Sequence, residues 1–577
     1  MKTGKSIPFN DHLLTANAPE KTELLEAITR LKNNKSSTDF AAECLKVAIE
    51  SDEFANAIHR AIERVWNERK IPEEWRISRI TCLFKKGSRI LPENYRTLSV
   101  SSVVLKAIMS IILVRSSAWY EAMLHDSQNG FRAARGCADS VFIAKNIVRI
   151  AKAHNKSVYS LALDLRAAYD WVRRNWVFLA IAARNAEAEC AEETGELFEL
   201  VRLLYERTYS FMSGDTEKDA FPTTCGLLQG GVESPPLFSI FCDTVMRLFV
   251  DELEKLGVGG FRFKFFIPAS ASTRVQRVMN PLTGEQIIYY TAYCDDIQIY
   301  AESIEDLQKM TDKLEHFFTK YGLTICKKKT KSLILNWAGN IEDYPKNIVS
   351  IQGVDIENVS VFKYLGVKFD VQQYSTGETE IKYPIILANA KFRDMKHVFE
   401  NKNIRLGTRL MFYNAFVRSR LCFLCGTWCI TQKLRTKLET CQSQHLRSMI
   451  TGGWARKGGS RELQDEIGYN FAYLYNSAKI YKLTKSETVL NFVDLQRAKW
   501  VSHVVRTDND RLIKQTMFEN TQNSREGRTT SVLDQFLKET RNYDFGDSEV
   551  YKACIERDLF SKLRDRGVLF ATRLDGD

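Results

Sequence analysis

The sequence IIYYTAYCDDIQIY at residues 287–300 decides the fold prediction. Two β-prone runs, 287–293 and 297–300, flank the tripeptide Cys294-Asp295-Asp296. This pattern predicts a hairpin of two short strands with adjacent acids at its turn. Acids are common in turns, so the hairpin alone is weak evidence for any function.

A third acid, Asp164, ends the run 158–164, which alternates as a half-buried strand. Carboxylates clustered at strand ends repel one another and resist ionisation unless a cation neutralises them. Two Mg²⁺ ions would provide that neutralisation, because Mg²⁺ prefers a few carboxylates together with substrate phosphates. Two metals about 3.5 to 4 Å apart are the arrangement used for phosphoryl transfer. Taken singly, Asp164 is more simply a cap or a surface charge.

Further motifs strengthen the functional reading because they occur in order along the chain. They are Lys85-Lys86-Gly87, Asn94-Tyr95-Arg96, Gln128-Asn129-Gly130-Phe131-Arg132, Leu163-Asp164 with Ala168-Tyr169-Asp170, Gly226-Leu227-Leu228-Gln229-Gly230, Ala292-Tyr293-Cys294-Asp295-Asp296, Lys329-Thr330-Lys331 and Phe362-Lys363-Tyr364-Leu365-Gly366. In order and residue type, this set resembles the reverse transcriptases of non-LTR (long interspersed element) retrotransposons. Cys294, Thr97 and Cys326 stand where such enzymes usually carry a small residue, a proline and an asparagine.

The resemblance implies roles for individual residues. Three acids would be the catalytic metal ligands for two Mg²⁺ ions, with Mn²⁺ as a substitute, and a lysine would protonate the leaving pyrophosphate: Asp164, Asp295, Asp296 and Lys329. Cations, a gate against the ribose 2′-hydroxyl and a glycine-containing loop would bind the nucleotide: Lys85, Lys86, Arg96, Tyr169, Gln229 and Gly230. A hairpin turn would grip the primer strand: Tyr364, Leu365 and Gly366.

The expected fold class is α/β with an α+β palm, arranged as a right-hand polymerase. The resemblance divides the chain into an N-terminal helical extension (1–60), fingers (61–150), a palm (151–375), a helical thumb (376–455) and a basic, mainly helical C-terminal region (456–577). Periodicity predicts a strand over 77–84, helices over 103–120 and 171–182, and a helix that begins after Ser303. Residues 262–286 look like an inserted hairpin or loop, and 454–460 like a linker.

The predicted function is an RNA-directed DNA polymerase that transfers a nucleotide from a dNTP to a primer 3′-hydroxyl on an RNA template. Its partners would be the RNA template, a DNA primer or target, and dNTPs. An RNA-dependent RNA polymerase would carry Gly-Asp-Asp and no bulky gate, so Tyr293 and Tyr169 argue against it. A catalytically silent RNA-binding relic of such an element stays as the alternative. Because the match begins almost at Met1, no endonuclease is expected before it. No RNase H domain is expected either, since no set of four acids with RNase H spacing is apparent after residue 380.

Composition agrees with a polyanionic partner without requiring one. The 577 residues carry 82 Lys and Arg against 71 Asp and Glu, a net charge of +11. No apolar run reaches the roughly 18 residues of a membrane span, so we expect a soluble, intracellular protein of the nucleus or cytoplasm with no membrane partner. The oligomeric state is open.

The cysteines are scattered, several inside apolar runs, which indicates reduced and buried thiols. One cluster could bind zinc by its spacing: Cys422, Cys425, Cys441 and His445. The apolar run 421–430 has helical spacing and lacks a turn residue other than Gly426, which favours structural thiols. His503 is likewise read as a packed or surface histidine, because no acid or cysteine at ligand spacing joins it.

Overall fold

Two four-stranded sheets organise the N-terminal two thirds of the chain, and helices form the remainder of what is described. The computed structural model describes residues 15–188, 191–272, 281–371, 378–451, 477–519 and 531–565. The described chain is therefore a mixed helix-and-sheet protein, in agreement with the predicted α/β class.

The first elements lead from an N-terminal helical cluster to the last strand of the first sheet. They are α1 (Lys21–Thr29), α2 (Ala42–Ala48), α3 (Asp52–Glu68), β1 (Ile77–Phe84), β2 (Tyr95–Val100), α4 (Val103–Arg115), α5 (Ser117–Met123), α6 (Cys137–Ala153), β3 (Val158–Leu163), α7 (Ala168–Trp171), α8 (Arg174–Asn185), α9 (Ala191–Glu206), β4 (Thr208–Met212) and β5 (Phe221–Thr223).

The next elements complete the second sheet and add three hairpins. They are α10 (Ser234–Lys255), β6 (Phe261–Ile267), β7 (Leu282–Ile288), β8 (Tyr290–Tyr293), β9 (Asp296–Ala301), α11 (Ile304–Lys320), β10 (Lys331–Leu335), β11 (Asn347–Ile351), β12 (Val354–Glu357), β13 (Val361–Tyr364) and β14 (Val367–Asp370).

Helices make up the described chain beyond residue 377. They are α12 (Glu378–Asp394), α13 (Lys396–Phe399), α14 (Leu406–Tyr413) with a π-helical continuation (Asn414–Arg418), α15 (Ser419–Leu421), α16 (Gln432–Thr451), α17 (Ser477–Thr484), α18 (Val489–Arg506), α19 (Leu512–Met517), α20 (Val532–Arg541), α21 (Asp547–Glu556) and α22 (Leu559–Asp565).

The sheet that carries the acids, called the central sheet here, has the order β10-β3-β9-β8 with antiparallel neighbours. Five consecutive residues of β9, 297–301, are buried, including Gln298, whose Nε2 donates to the Ser160 hydroxyl of β3 at 2.8 Å. The first sheet has the order β2-β1-β4-β5, with β1 and β4 parallel. β6 and β7 pair antiparallel, so the predicted insertion contains a hairpin.

The central sheet separates two hydrophobic cores. One contains residues of α1–α4, α8–α11 and β8–β9. The other joins α6, the β6–β7 and β13–β14 hairpins and the C-terminal helices α18–α22. A third core holds together α12–α17 and the start of α18. Of the described helices in the predicted C-terminal region, α17 and the start of α18 therefore belong to the third core, and the rest of α18 with α19–α22 shares a core with α6 and the hairpins.

Several predicted elements are confirmed, and two predicted helices are wrong in their continuity. The strand over 77–84 and the Ser303 cap are confirmed, since the Ser303 hydroxyl accepts from the amide of Asp306 at 3.0 Å. The predicted helix over 103–120 breaks at Ser116 into α4 and α5, which are bent by 59°. The Ser116 hydroxyl donates to the Ile112 carbonyl at 2.8 Å, a local bond that favours bending of a helix.

The helix predicted over 171–182 is also two helices, since α7 ends at Trp171 and α8 begins at Arg174. The run 421–430 is not a continuous helix either. α15 ends at Leu421, and Leu424 adopts a left-handed conformation with φ of 54°. Gly426 fits because a Cβ there would lie 2.8 Å from the Gln496 carbonyl oxygen of α18. The predicted linker 454–460 lies outside the described residues.

Among the described helices, no single one combines the length and apolarity that crossing a bilayer requires, although the bent pair α4 and α5 meets that criterion jointly.

Candidate active site

The three predicted acids lie at one edge of the central sheet. Asp295 is in the two-residue turn between β8 and β9, where Tyr293 pairs with Asp296. Asp164 directly follows β3, whose last residue, Leu163, pairs with Ile297 of β9. Asp164 and Asp296 thus stand at adjacent ends of two antiparallel strands.

Burial and electrostatic repulsion raise the pKa values of two of the three acids. Burial, and then the charges of Asp295 and Asp164, raise the pKa of Asp296 to about 6. Burial also raises the pKa of Asp295, and Asp164 adds to the effect while Arg96 and Lys85 oppose it. The Lys329 ammonium lies 3.4 Å from Oδ1 of Asp164. One lysine therefore contacts one acid, and the other two carboxylates lack an equally close cation among the described side chains.

Whether these residues suit a metal ion follows from donor chemistry and position. Within the described ranges, no three Asp, Glu, His or Cys side chains are close enough to hold a metal ion as they stand. The acids are neighbours, and a bound cation would have to draw their side chains together. Burial and mutual repulsion raise the pKa values of Asp295 and Asp296. The three carboxylates offer hard oxygen donors, which fit a hard divalent cation such as Mg²⁺.

Two predicted nucleotide-binding cations reach the same edge from the first sheet. Lys85 follows β1, and its amide donates to the Asn94 carbonyl at 2.8 Å; Arg96 lies on β2 opposite Leu83. The charges of Lys85 and Arg96 oppose the rise in the pKa of Asp295, so they act at the acidic turn. Lys86 is exposed on the turn that follows Lys85.

The predicted Gln229-Gly230 loop is fixed to the first sheet by its backbone. The Ser99 amide of β2 donates to the Gln229 carbonyl at 2.7 Å. Gly230 has φ of 124°, and a Cβ there would lie 2.8 Å from the Ser99 carbonyl oxygen. At the start of the loop, Gly226 has φ of 77° and would place a Cβ 2.6 Å from the carbonyl oxygen of Asp170. Both positions therefore require glycine for conformation and for space.

Tyr169 connects this loop with the acidic turn. Its ring stacks on Phe238 of α10 with centroids 4.8 Å apart, and its hydroxyl lies 3.0 Å from Sγ of Cys294. Its carbonyl accepts from the amide of Leu227 at 2.8 Å. The side chain is consequently held at both its ring and its hydroxyl, which suits a residue that must present a fixed surface.

The β13–β14 hairpin presents the predicted primer-grip residues. Leu365 and Gly366 form its two-residue turn, with φ of 44° and 89°. Tyr364 is buried, and its hydroxyl lies 3.5 Å from the Thr291 hydroxyl of β8. The tyrosine side chain thus anchors the hairpin to the central sheet.

Two residues of the site had no role in the sequence prediction. Asp170 faces Thr97 of β2 at 3.5 Å; its burial raises its pKa, which the Thr97 hydrogen bond and Lys85 oppose. Gln128 is 1% exposed and contacts the backbone of Cys294. Both residues stand within quoted motifs, but only their contacts reveal what they do.

The suggested zinc residues are engaged with protein groups. His445 stacks on Phe392 with centroids 4.3 Å apart, and its Nε2 lies 2.8 Å from Oδ1 of Asn389. Cys422, Cys425 and Cys441 are buried. Geometry in the described ranges gives this cluster no metal-binding arrangement.

The His503 ring has an acid near it that the sequence did not indicate. Its Nε2 lies 3.8 Å from Oδ1 of the buried Asp139.

Comparison with known proteins agrees with this site. A family model described as "Reverse transcriptase (RNA-dependent DNA polymerase)" matches residues 84–369. The Pol polyprotein of the retrotransposable element R2DM of Drosophila melanogaster is 23% identical over 311 residues, covering 52% of this chain and 26% of the relative. The R2 Pol polyprotein of Nasonia vitripennis is 22% identical over 341 residues, covering 57% and 30%.

A third relative is the uncharacterized 149 kDa protein of transposon TX1 of Xenopus laevis, 20% identical over 390 residues, covering 67% of this chain and 27% of the relative. The chain thus spans less than a third of the length of each of these relatives. The matched segment contains every residue predicted from the motifs to act in the site. Residues 84–369 are therefore a reverse transcriptase domain, and the chain is similar in sequence to proteins of R2 retrotransposable elements and of transposon TX1.

Proposed function

We propose that this chain extends a primer 3′-hydroxyl with dNTPs on an RNA template, using Asp164, Asp295 and Asp296 as metal ligands. The observation that carries the proposal is the meeting of these three acids at one edge of the central sheet, within reach of the charges of Lys85 and Arg96. Divalent metal ions are general in this family, and these carboxylates are the donors that suit them.

The protein groups divide the work of nucleotidyl transfer. When bound, Mg²⁺ would supply positive charge for the attacking hydroxyl and the triphosphate. Lys85 and Arg96 bring further positive charge to the triphosphate, where stabilisation of spreading phosphate charge is the main catalytic contribution. Lys329, held beside Asp164, is placed to donate a proton to the leaving pyrophosphate.

Two further groups select and align the substrates in this proposal. Tyr169, fixed between Phe238 and Cys294, blocks a ribose 2′-hydroxyl by its ring. The Leu365-Gly366 turn supports the primer strand, and Watson–Crick pairing with the template selects the base. The expected architecture is a right hand, with fingers over 61–150, a palm over 151–375 that contains the central sheet, and a helical thumb over 376–455.

Primer extension on poly(rA)/oligo(dT) with dTTP tests the proposal, with Mg²⁺ and Mn²⁺ supplied separately. We expect the intact chain to extend the primer and an Asp295→Asn, Asp296→Asn variant to lose about a thousandfold in rate, since metal ligation contributes several kcal/mol. Asp251→Asn, an exposed acid on α10, is the matched control and should keep full activity.

The binding of the same duplex decides between the proposal and its alternative. If the intact chain binds the duplex but does not extend it with either metal, the polymerase assignment is wrong and a silent RNA-binding relic accounts for the site. If the double variant still binds while it fails to extend, the acids act in chemistry and not in binding.

A further inference from the structure

The side chain of Gln128 holds the backbone of the acidic turn. Gln128 is 1% exposed, and its Oε1 accepts from the amide of Cys294 at 2.8 Å and from the amide of Gly130 at 3.0 Å. Its Nε2 donates to the carbonyl of Cys294 at 3.5 Å. One buried amide side chain therefore contacts both backbone polar groups of the residue that precedes Asp295.

The segment that carries Gln128 is itself aligned with the hairpin. The Ala292 amide of β8 donates to the Ser127 carbonyl at 2.8 Å, and the Asn129 amide donates to the Ala292 carbonyl at 2.9 Å. Gly130 allows the segment to approach closely, because a Cβ there would collide with the amide nitrogen of Cys294. The position of Gln128 relative to the turn is thus set by backbone bonds on one side and by the lack of a side chain on the other.

The conformation of Cys294 explains why the turn needs such support. Cys294 has φ of 61°, a left-handed conformation that residues other than glycine seldom adopt. A residue in such a conformation persists only where its surroundings determine it. Its side chain contacts the hydroxyls of Tyr169 and Ser239. Gln128 holds its amide and carbonyl, and the Cys242 thiol also donates to that carbonyl at 3.9 Å.

We propose that Gln128 is a positioning residue of the polymerase, which fixes Cys294 in its left-handed conformation and so directs Asp295 and Asp296 towards Asp164. This inference rests on the proposed function for its catalytic consequence. A displacement of about 1 Å in a catalytic group can lower the rate about a hundredfold. A defect in the turn should therefore lower kcat by a larger factor than it raises the KM for dTTP.

The chain offers a matched control in Gln442 of α16. Gln442 is also 1% exposed, its Oε1 accepts from the Val489 amide at 2.6 Å and the Tyr481 hydroxyl at 2.9 Å, and its Nε2 donates to the Glu487 carbonyl at 3.0 Å. Replacing either glutamine with methionine removes hydrogen bonds between a buried side chain and the backbone of a distant segment. Only Gln128 lies against the acidic turn.

The experiment compares Gln128→Met with Gln442→Met in primer extension on poly(rA)/oligo(dT). For Gln128→Met we expect kcat to fall about tenfold to a hundredfold, the dTTP KM to change less than about threefold, and the Mg²⁺ concentration for half-maximal rate to rise. Gln442→Met should keep the kcat and the Mg²⁺ dependence of the intact chain. Equal kcat values and Mg²⁺ dependences in the two variants would overturn the inference.

Hydrogen exchange at the Cys294 amide reports on the clamp independently of activity. The amide should be protected in the intact chain, retain protection in Gln128→Glu, which keeps an acceptor oxygen, and lose it in Gln128→Met. Protection that survives in Gln128→Met overturns the inference, and this holds even where the intact chain is inactive. Inactivity of the intact chain by itself counts only against the proposed function. If Gln128→Met does not fold, Gln128→Glu decides by the same amide, and loss of its protection there refutes the acceptor role.

Discussion

Replacement of Asp126 by asparagine should loosen the contact between the loop before Gln128 and α19. Asp126 Oδ1 lies 2.7 Å from Nη1 of Arg135 and 2.6 Å from Nε of Arg511, and Oδ2 accepts from the Leu512 amide. Asp126 precedes the Gln128 clamp by two residues, whereas Arg511 and Leu512 lead into α19. One carboxylate therefore joins the loop behind the acidic turn to the C-terminal region.

The magnitude follows from burial. The side chains of Asp126, Arg135 and Arg511 are 24%, 7% and 19% exposed. Removing one partner of a buried ion pair costs about 3 to 5 kcal/mol, because it leaves the other charge uncompensated. Since Asp126 is partly exposed, we expect the lower end, about 3 kcal/mol, or about a hundredfold in an opening equilibrium.

The assay is hydrogen exchange of the α19 amides, which reports local opening in a chain too large for a single unfolding equilibrium. Glu26→Gln is the control, because the Glu26–Arg30 pair, at 2.7 Å, is 66% and 67% exposed and such a pair contributes at most about 0.5 kcal/mol. Equal exchange rates in Asp126→Asn and Glu26→Gln would refute the reasoning.

The pH dependence of the same measurement has a definite sign. Burial would raise the pKa of Asp126, but Arg135, Arg511 and the Leu512 amide outweigh it and hold that pKa below the ordinary value of 3.8. The stabilisation is therefore present above pH 3.8 and is lost as the pH falls through the lowered value. The difference between the intact chain and Asp126→Asn should shrink in that acidic window.

Three further predictions concern single residues. Cys294→Ala removes the contact with the hydroxyl of the gate tyrosine at 3.0 Å, so ribonucleotide incorporation should rise about threefold to tenfold at unchanged dNTP kcat, and unchanged selectivity would contradict the proposed gate. Burial lowers the pKa of Lys514 to about 8, so the contribution of this group to stability should rise between pH 8 and 10.5. Melting temperatures measured across this pH range should show that rise in the intact chain, and Lys514→Met should lack this contribution. Gly230→Ala should abolish primer extension, whereas Gly214→Ala should keep it. Both glycines have positive φ, of 124° and 115°, but of the two only Gly230 would place a Cβ 2.8 Å from a carbonyl oxygen of β2. Equal activities of the two variants would refute the steric argument.

The sequence could predict the acidic hairpin because its information is local. Two short β-prone runs mark β8 and β9, whose residues are mostly buried, and the adjacent acids mark the turn. The order of motifs then indicated the family, and with it the pairing of Asp164 with the hairpin. Periodicity failed to predict the backbone where a neighbouring element packs closely. The helical spacing of 421–430 did not predict the left-handed Leu424, beside which the backbone of α18 approaches Gly426.

What only the tertiary structure decided are contacts between residues far apart in the chain. Gln128 meets Cys294 across 166 positions, and Asp126 meets Leu512 across 386. A side chain that bonds to a distant backbone or charge leaves no periodic trace in its own segment, because the partner, and not the neighbouring residues, determines its role. The sequence by itself therefore determined which acids are candidates and which strands carry them, whereas packing decided how the turn is held and that α18–α22 share a core with α6 and the hairpins.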